Sequence, residues 1–126
     1  MKTKSNLSVS SHRLMICLFL FTYSLTHSFA QSAKIDSLLT LLKKDNADTN
    51  KVNHLNALGW ELKYTNPDTA IILGEQALSL AKKQQWKKGA ANSLGNLGAY
   101  NYLKADYPKA LDYYLKALKI DEELGD

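Results

Sequence analysis

From Ile35 onward, apolar residues recur at helical spacing, and no segment alternates apolar and polar positions as a half-buried strand would. Ile35, Leu38, Leu39 and Leu42 fall at i, i+3, i+4 and i+7 and predict a lead helix within residues 31–46. The polar stretch Asp45-Asn46-Ala47-Asp48-Thr49-Asn50 ends it, with Asp48 or Thr49 placed to cap the next helix, which sets Leu55, Leu58 and Leu62 on one face. Asn66-Pro67-Asp68 supplies a cap, a proline at the first helical position and an acid in the first turn. The helix it starts runs through Ala70, Leu73, Ala77, Leu78 and Ala81. A further helix follows Trp86 with Leu94, Leu97 and Gly98. Asp106 caps the last one, whose expected buried face is Ala110, Leu111, Tyr114, Ala117 and Leu118. The fold class expected is all-α.

The chain also resembles itself. Residues 70–78 (Ala-Ile-Ile-Leu-Gly-Glu-Gln-Ala-Leu) return forty positions later as residues 110–118 (Ala-Leu-Asp-Tyr-Tyr-Leu-Lys-Ala-Leu). Leu55 and Leu58-Gly59 return thirty-nine positions later as Leu94 and Leu97-Gly98. Gly59 and Gly98 lack a Cβ and let a partner helix approach closely, at about 1 kcal/mol of helix propensity relative to Ala. Ala70, Ala77, Ala110 and Ala117 serve the same end on the second helix of each pair.

Leu94-x-x-Leu97-Gly98, Tyr102, Asp106-Tyr107, Ala110-Leu111, Tyr113-Tyr114 and Ala117-Leu118 resemble the tetratricopeptide repeat (TPR), closely over residues 91–126 and more loosely over 52–85. The pattern departs at Gly74, where a large aromatic is usual, at Asn101, where Tyr is usual, and at Ala105, where the interhelical Gly is usual. Each departure is expected to loosen local packing. The resemblance implies helix-turn-helix repeats stacked as a short α-solenoid: a first TPR-like repeat over 47–85, a second over 86–126, and further repeats in a longer parent protein. The forty-residue period and the phrases around Asn66-Pro67-Asp68 and Asp121-Glu122-Glu123 resemble exported repeat regions that precede bacterial sensor histidine kinases and related signalling proteins.

In that family the first helix of each pair lines a concave binding surface. By position, this implies groove residues Asn53, Asn56, Trp60, Lys63 and Tyr64 in the first copy, and Asn92, Gly95, Asn96, Ala99, Tyr102 and Leu103 in the second. Amides and aromatic rings suit the backbone and side chains of a peptide. Asn96 matches one position of the carboxylate clamp of chaperone-binding members. Gly95 and Ala99 stand where further clamp residues belong, so the resemblance does not imply a chaperone tail as ligand.

The first thirty residues have another character. Lys2, Lys4, His12 and Arg13 form a basic start, Leu14–Phe21 an apolar run of eight, and Ser28-Phe29-Ala30 offers small residues at −3 and −1 before Gln31. This order predicts a secretory signal over 1–30, cleaved before Gln31, and a protein that is periplasmic or secreted from a bacterium. Retention as an anchor is the alternative, although a membrane span needs about twenty apolar residues. Removing Lys2, Lys4 and Arg13 turns 16 Lys+Arg against 12 Asp+Glu into 13 against 12. The basic balance then gives no argument for nucleic acid or for membrane contact after cleavage. No Arg and no Cys remain past residue 30, so the module would stand on packing without disulfides.

Catalytic constellations are missing from this reading. His54 is the one histidine past residue 30 and is expected at the surface or in the groove. With no cysteine beside it, neither a metal set nor a Cys-His pair can be assembled, and no cofactor is expected. Asp121-Glu122-Glu123 reads as a solvated charge run. Gly95-Asn96-Leu97-Gly98 lacks the strand and the Lys-Ser/Thr of a nucleotide loop. Lys82-Lys83-Gln84-Gln85-Trp86-Lys87-Lys88 reads as a turn whose lysines suit a helix C-terminus and whose Trp86 staples the repeats together, with phosphate or lipid contact as the alternative. Of Tyr100, Tyr102, Tyr107, Tyr113 and Tyr114, most are expected in interhelix packing. The function expected is that of an exported, non-enzymatic scaffold that holds a peptide or protein in a TPR groove. The alternative is the extracytoplasmic front end of a longer signalling enzyme such as a histidine kinase or cyclase. Self-association through an uncapped last helix is a further expectation.

Overall fold

The computed structural model describes residues 4–125, with side chains described for residues 11–23 and 30–125. Lys2 and the side chains of Lys4, Ser28 and Phe29 therefore lie outside the described residues, and Ala30 is exposed. The described residues form the helices α1 (Lys4–Lys44), α2 (Thr49–Leu62), α3 (Pro67–Lys83), α4 (Lys87–Leu103) and α5 (Tyr107–Leu124), and no strand. The chain is all-helical, as its periodicity requires.

It divides into two compact units, Met1–Lys34 and Ile35–Asp126. The first is helical, and the large apolar side chains from Leu14 to Tyr23 are exposed. Among the described residues, no helix is long and apolar enough to cross a membrane. The second unit begins with the last part of α1, where Leu38 is buried and Leu42 packs on the core.

The helix starts follow local chemistry. Asp48 has extended backbone, and its carboxylate accepts from the N–H groups of Asn50 and Lys51. Asn66 Oδ1 accepts from Thr69 N ahead of Pro67, and Asp106 Oδ1 from Lys109 N. Each such cap is worth about 1 kcal/mol. The start of α4 differs: Trp86 occupies the cap position and makes no side-chain hydrogen bond.

The ends of α3 and α4 share one motif. Gln85 (φ 54°) and Ala105 (φ 61°) are left-handed, with Gln85 N donating to Lys82 O and Ala105 N to Tyr102 O. One residue further on, Trp86 N donates to Ala81 O and Asp106 N to Asn101 O. These are Schellman caps, which normally use glycine at the left-handed position. The end of α5 does use it, at Gly125 (φ 79°). Ala105 thus has a defined conformation in a regular turn.

In the second unit α2 packs on α3, α3 on α4, α4 on α5, and α2 also on α4. One core cluster joins Val52, Leu55, Ala77, Ala81 and Ala90, and another joins Ala70, Leu97 and Tyr100. Gly74 is not a loose spot. An ideal Cβ there would lie 2.9 Å from Leu97 Cδ2 and 3.4 Å from Tyr100 Cε2. Likewise a Cβ on Gly59 would meet Tyr100 Oη at 2.8 Å, while one on Gly98 would meet the Tyr114 ring at 2.7 Å. In the second copy Tyr114 covers Gly98 from within its own helix pair. In the first copy α3 has Gly74 at the equivalent position, and Tyr100, reaching in from α4, fills the space instead. Asn101 is also well packed: it is buried, and its Nδ2 donates to Leu97 O.

The expected buried face of α5 needs correction. Ala110 and Ala117 are buried, but Leu111 and Leu118 are exposed, because no helix among the described residues packs on that side, and Tyr114, although its ring lies on Gly98, keeps 42% of its surface exposed. The tyrosines divide differently as well. Tyr100 is buried and Tyr113 half-buried, whereas Tyr102, Tyr107 and Tyr114 are exposed.

Candidate functional site: the face of α2 and α4

α2 packs beside α4, and Asn56 of α2 bonds to Ser93 of α4 across the contact. Asn53 and Asn92 are exposed and Asn96 is half-buried. A Cβ built on Gly95 would meet nothing within 4 Å, so the surface around it is open. Toward the C-terminal ends of these helices the surface turns aromatic. Trp60 is 45% exposed, Tyr64 72% and Tyr102 59%, with Leu103 exposed beside them in sequence.

Lys63 organises the α2 end. Its ammonium lies 3.8 Å from the centroid of the Trp60 ring and 4.5 Å from that of Tyr64, and it donates to Trp60 O at 3.2 Å. Cation–π contacts at exposed sites contribute about 0.5–1 kcal/mol each. They fix both rings without burying them and leave a cation at the edge of an aromatic surface. At the α4 end, Tyr102 stacks edge-on against Tyr107 with centroids 5.4 Å apart.

Asn56, expected in the groove, is instead buried between helices. Its Nδ2 donates to Ser93 Oγ at 2.9 Å, and Ser93 Oγ donates in turn to Gly89 O. The small Ser93 admits α4 so closely that Asn56 is covered. Asn56 Oδ1 and Tyr100 Oη are buried without a hydrogen-bond partner among the described residues. Burial pushes the Tyr100 hydroxyl well above the usual phenol range. His54 is also removed from open surface: its Nδ1 lies 2.7 Å from Asp45 Oδ2, tying α2 to the segment that follows α1. Gln84 Nε2 holds the same segment through Ala47 O at 2.6 Å.

The lysine-rich turn forms a corner of its own. Trp86 lies flat on Gly89, where a Cβ would fall 2.1 Å from the indole Cε3. A cleft of about 270 Å³ opens beside it, floored by Ala81, Ala90 and Ile120 and rimmed by Lys82 and Lys87. Lys87 Nζ reaches Glu123 Oε2 at 2.8 Å, and this hydrogen bond and charge hold the Glu123 carboxyl below its ordinary range. A second ion pair joins Lys104 to Asp68 between α4 and α3. Among the described residues, no three His, Cys, Asp or Glu side chains stand together as a metal site. The α2–α4 surface can stack on rings, donate and accept through amides, and offer one fixed ammonium.

Comparisons of the chain with protein-family models, with curated proteins and with solved structures returned no match.

Proposed function

We propose that this chain is an exported scaffold of TPR type that binds an extended peptide segment across the face of α2 and α4. One observation carries this reading. The two helices lie side by side, and the positions assigned to their face hold exposed rings at Trp60, Tyr64 and Tyr102, amides at Asn53, Asn92 and Asn96, and open space beside Gly95. A peptide laid there would stack apolar side chains on Trp60, Tyr64 and Tyr102. Its backbone would bond to Asn53, Asn92 and Asn96, and one of its carboxylates would meet Lys63. The same surface has no nucleophile with a base beside it, which favours holding over chemistry.

The test is a peptide selected from a random display library on immobilised protein and measured by calorimetry. Trp60→Ala should weaken its binding by about 2 kcal/mol or more while circular dichroism stays unchanged. Lys63→Gln should weaken acidic peptides more than neutral ones. Should Trp60→Ala melt the protein with no separate binding defect, Trp60 is a structural residue and the assignment fails. Peptides that bind equally well to the Trp60→Ala and wild-type proteins would place their site elsewhere.

A further inference from the structure

The cleft beside Trp86 is walled by three helices, with Ala81 from α3, Ala90 from α4 and Ile120 from α5. A helix following α5, set on the second pair as α4 is set on the first, would not fill it. α4 brings Ala90 into one cluster with Val52, Leu55, Ala77 and Ala81. The equivalents of those four in the second copy are Ala91, Leu94, Ala117 and Asp121, and none of them lines the cleft. The repeat also shows why this corner is open. In the first copy Gln84 Nε2 ties the equivalent corner by donating to Ala47 O at 2.6 Å. In the second copy the same positions hold Leu124 and Trp86. A leucine has nothing to donate, and Trp86 O already accepts from Ala90 N. The corner stays open, with a volume of about 270 Å³.

We infer that this cleft binds a small monocarboxylate with an apolar tail, a molecule of the size of octanoate. Lining, volume and charge select it. Ala81, Ala90, Ile120 and Trp86 make the interior apolar, so the body of the ligand is apolar too. The indole wall is formed in advance, because Trp86 lies on Gly89, where a Cβ would fall 2.1 Å from Cε3. At ~30 Å³ for each water displaced, the volume equals about nine waters, which suits a ligand of about ten non-hydrogen atoms. The rim carries one uncompensated charge. Lys87 is paired with Glu123 at 2.8 Å, whereas Lys82 has no partner among the described residues. Asp121 and Glu122 follow Ile120 in sequence but do not line the cleft. One free ammonium, with the Gln85 amide on the same rim, matches the two oxygens of one carboxylate. A dianion such as phosphate would keep a charge unmet and has no apolar body to bury. The site is separate from the α2–α4 face and stands or falls without the peptide reading.

The experiment titrates the protein with sodium octanoate and reads indole emission, in a Trp60→Phe background that keeps Trp86 as the one tryptophan. Emission should shift and saturate with a Kd of roughly 0.1–5 mM. Octanol, which lacks the charge, and octylammonium, which has the opposite one, should bind at least about fivefold more weakly. Lys82→Gln should weaken octanoate by roughly five- to tenfold and leave octanol unchanged. Glu123→Gln frees Lys87 and should tighten octanoate by roughly two- to fivefold. Both side chains are exposed, so these two arms do not depend on a perturbed fold. Ile120→Asp puts a carboxylate on the wall and should abolish the response with helicity unchanged. Emission that does not respond to octanoate at about 20 mM overturns the inference. So does octanoate binding that is equally tight in the Lys82→Gln and parent proteins, or no tighter than that of octanol. A response to vesicles of anionic phospholipid without one to octanoate would put a membrane surface at this corner and overturn it equally.

Discussion

Replacing Gly74 with tyrosine sets two lines of reasoning against each other. By resemblance to the tetratricopeptide pattern, a large aromatic belongs there and should stabilise. The structure demands the opposite. A Cβ alone would lie 2.9 Å and 3.0 Å from Leu97 Cδ2 and Cγ, and 3.4 Å from Tyr100 Cε2. Leu97 and Tyr100 have no exposed surface, so neither can swing into solvent. For Gly74→Ala, a helix-propensity gain of about 1 kcal/mol opposes an overpacking cost of about 1–3 kcal/mol, a net loss of about 0–2 kcal/mol. A full ring must displace Leu97 or Tyr100 from the core, a loss comparable to truncating a core side chain, about 3–5 kcal/mol. For a domain of this size, that lowers the melting temperature by about 12 °C or more. Thermal and urea unfolding of the protein followed by circular dichroism would measure it. The double variant Gly74→Tyr, Tyr100→Ala, which moves the ring from α4 to α3, should cost about 2 kcal/mol less than the sum of the single changes. Gly95→Ala is the control: with nothing within 4 Å of its Cβ, it should gain about 1 kcal/mol. A Gly74→Tyr protein as stable as wild type would refute the claim that Tyr100 fills this space.

Other outcomes follow from single features. Ala105→Gly relieves a left-handed alanine at φ 61° and should stabilise by about 0.5–1 kcal/mol in the same unfolding assay. Gln85→Gly should act in the same direction at φ 54°. The Glu123 carboxyl, held below its ordinary range by Lys87, should titrate by NMR below the value it has in a Lys87→Ala variant. The lowered folded value means that the pair's small contribution to stability is present above the ordinary carboxylate range and is lost as pH falls through the folded value. Intact-mass analysis of exported protein should find an N-terminus at or near Gln31. Retention of Met1 would count against the signal reading.

Helices and their caps were legible because they depend on neighbours in sequence. Asp48, Asn66 and Asp106 each bond to an amide two or three residues away, and a reader of the chain sees both partners. Pair packing was less legible. The register that aligns Gly59 with Gly98 and Gly74 with Tyr114 shows that the first copy lacks a ring. It does not show that Tyr100, from the following helix pair, replaces it. That substitution crosses forty-one positions, from Gly59 to Tyr100, and only the approach of α4 to both α2 and α3 brings it about.

The same limit separates the groove residues that project from those that do not. Trp60 stands in the last turn of α2 and Tyr64 in the turn that follows it, and both project, held by a lysine between them. Asn56 stands one turn before Trp60, and a helical wheel places all three along one stripe. What divides them is the partner helix: Ser93 and Gly89 are small enough for α4 to close over Asn56, whereas the C-terminal end of α2 leaves Trp60 and Tyr64 open. Helical periodicity fixes which side chains share a face and leaves open where a neighbour's contact on that face begins and ends. The case of α5 is the converse. Its apolar stripe is plain in sequence, and the natural inference is that such a stripe is buried. Yet burial belongs to a pair of surfaces. Ile71 on α3 and Leu111 on α5 hold the same position in their repeats, one packed against α4 and the other 58% exposed. A position of this kind marks a surface that can be covered. The identity of what covers it is a property of a second helix and is not written in α5 itself.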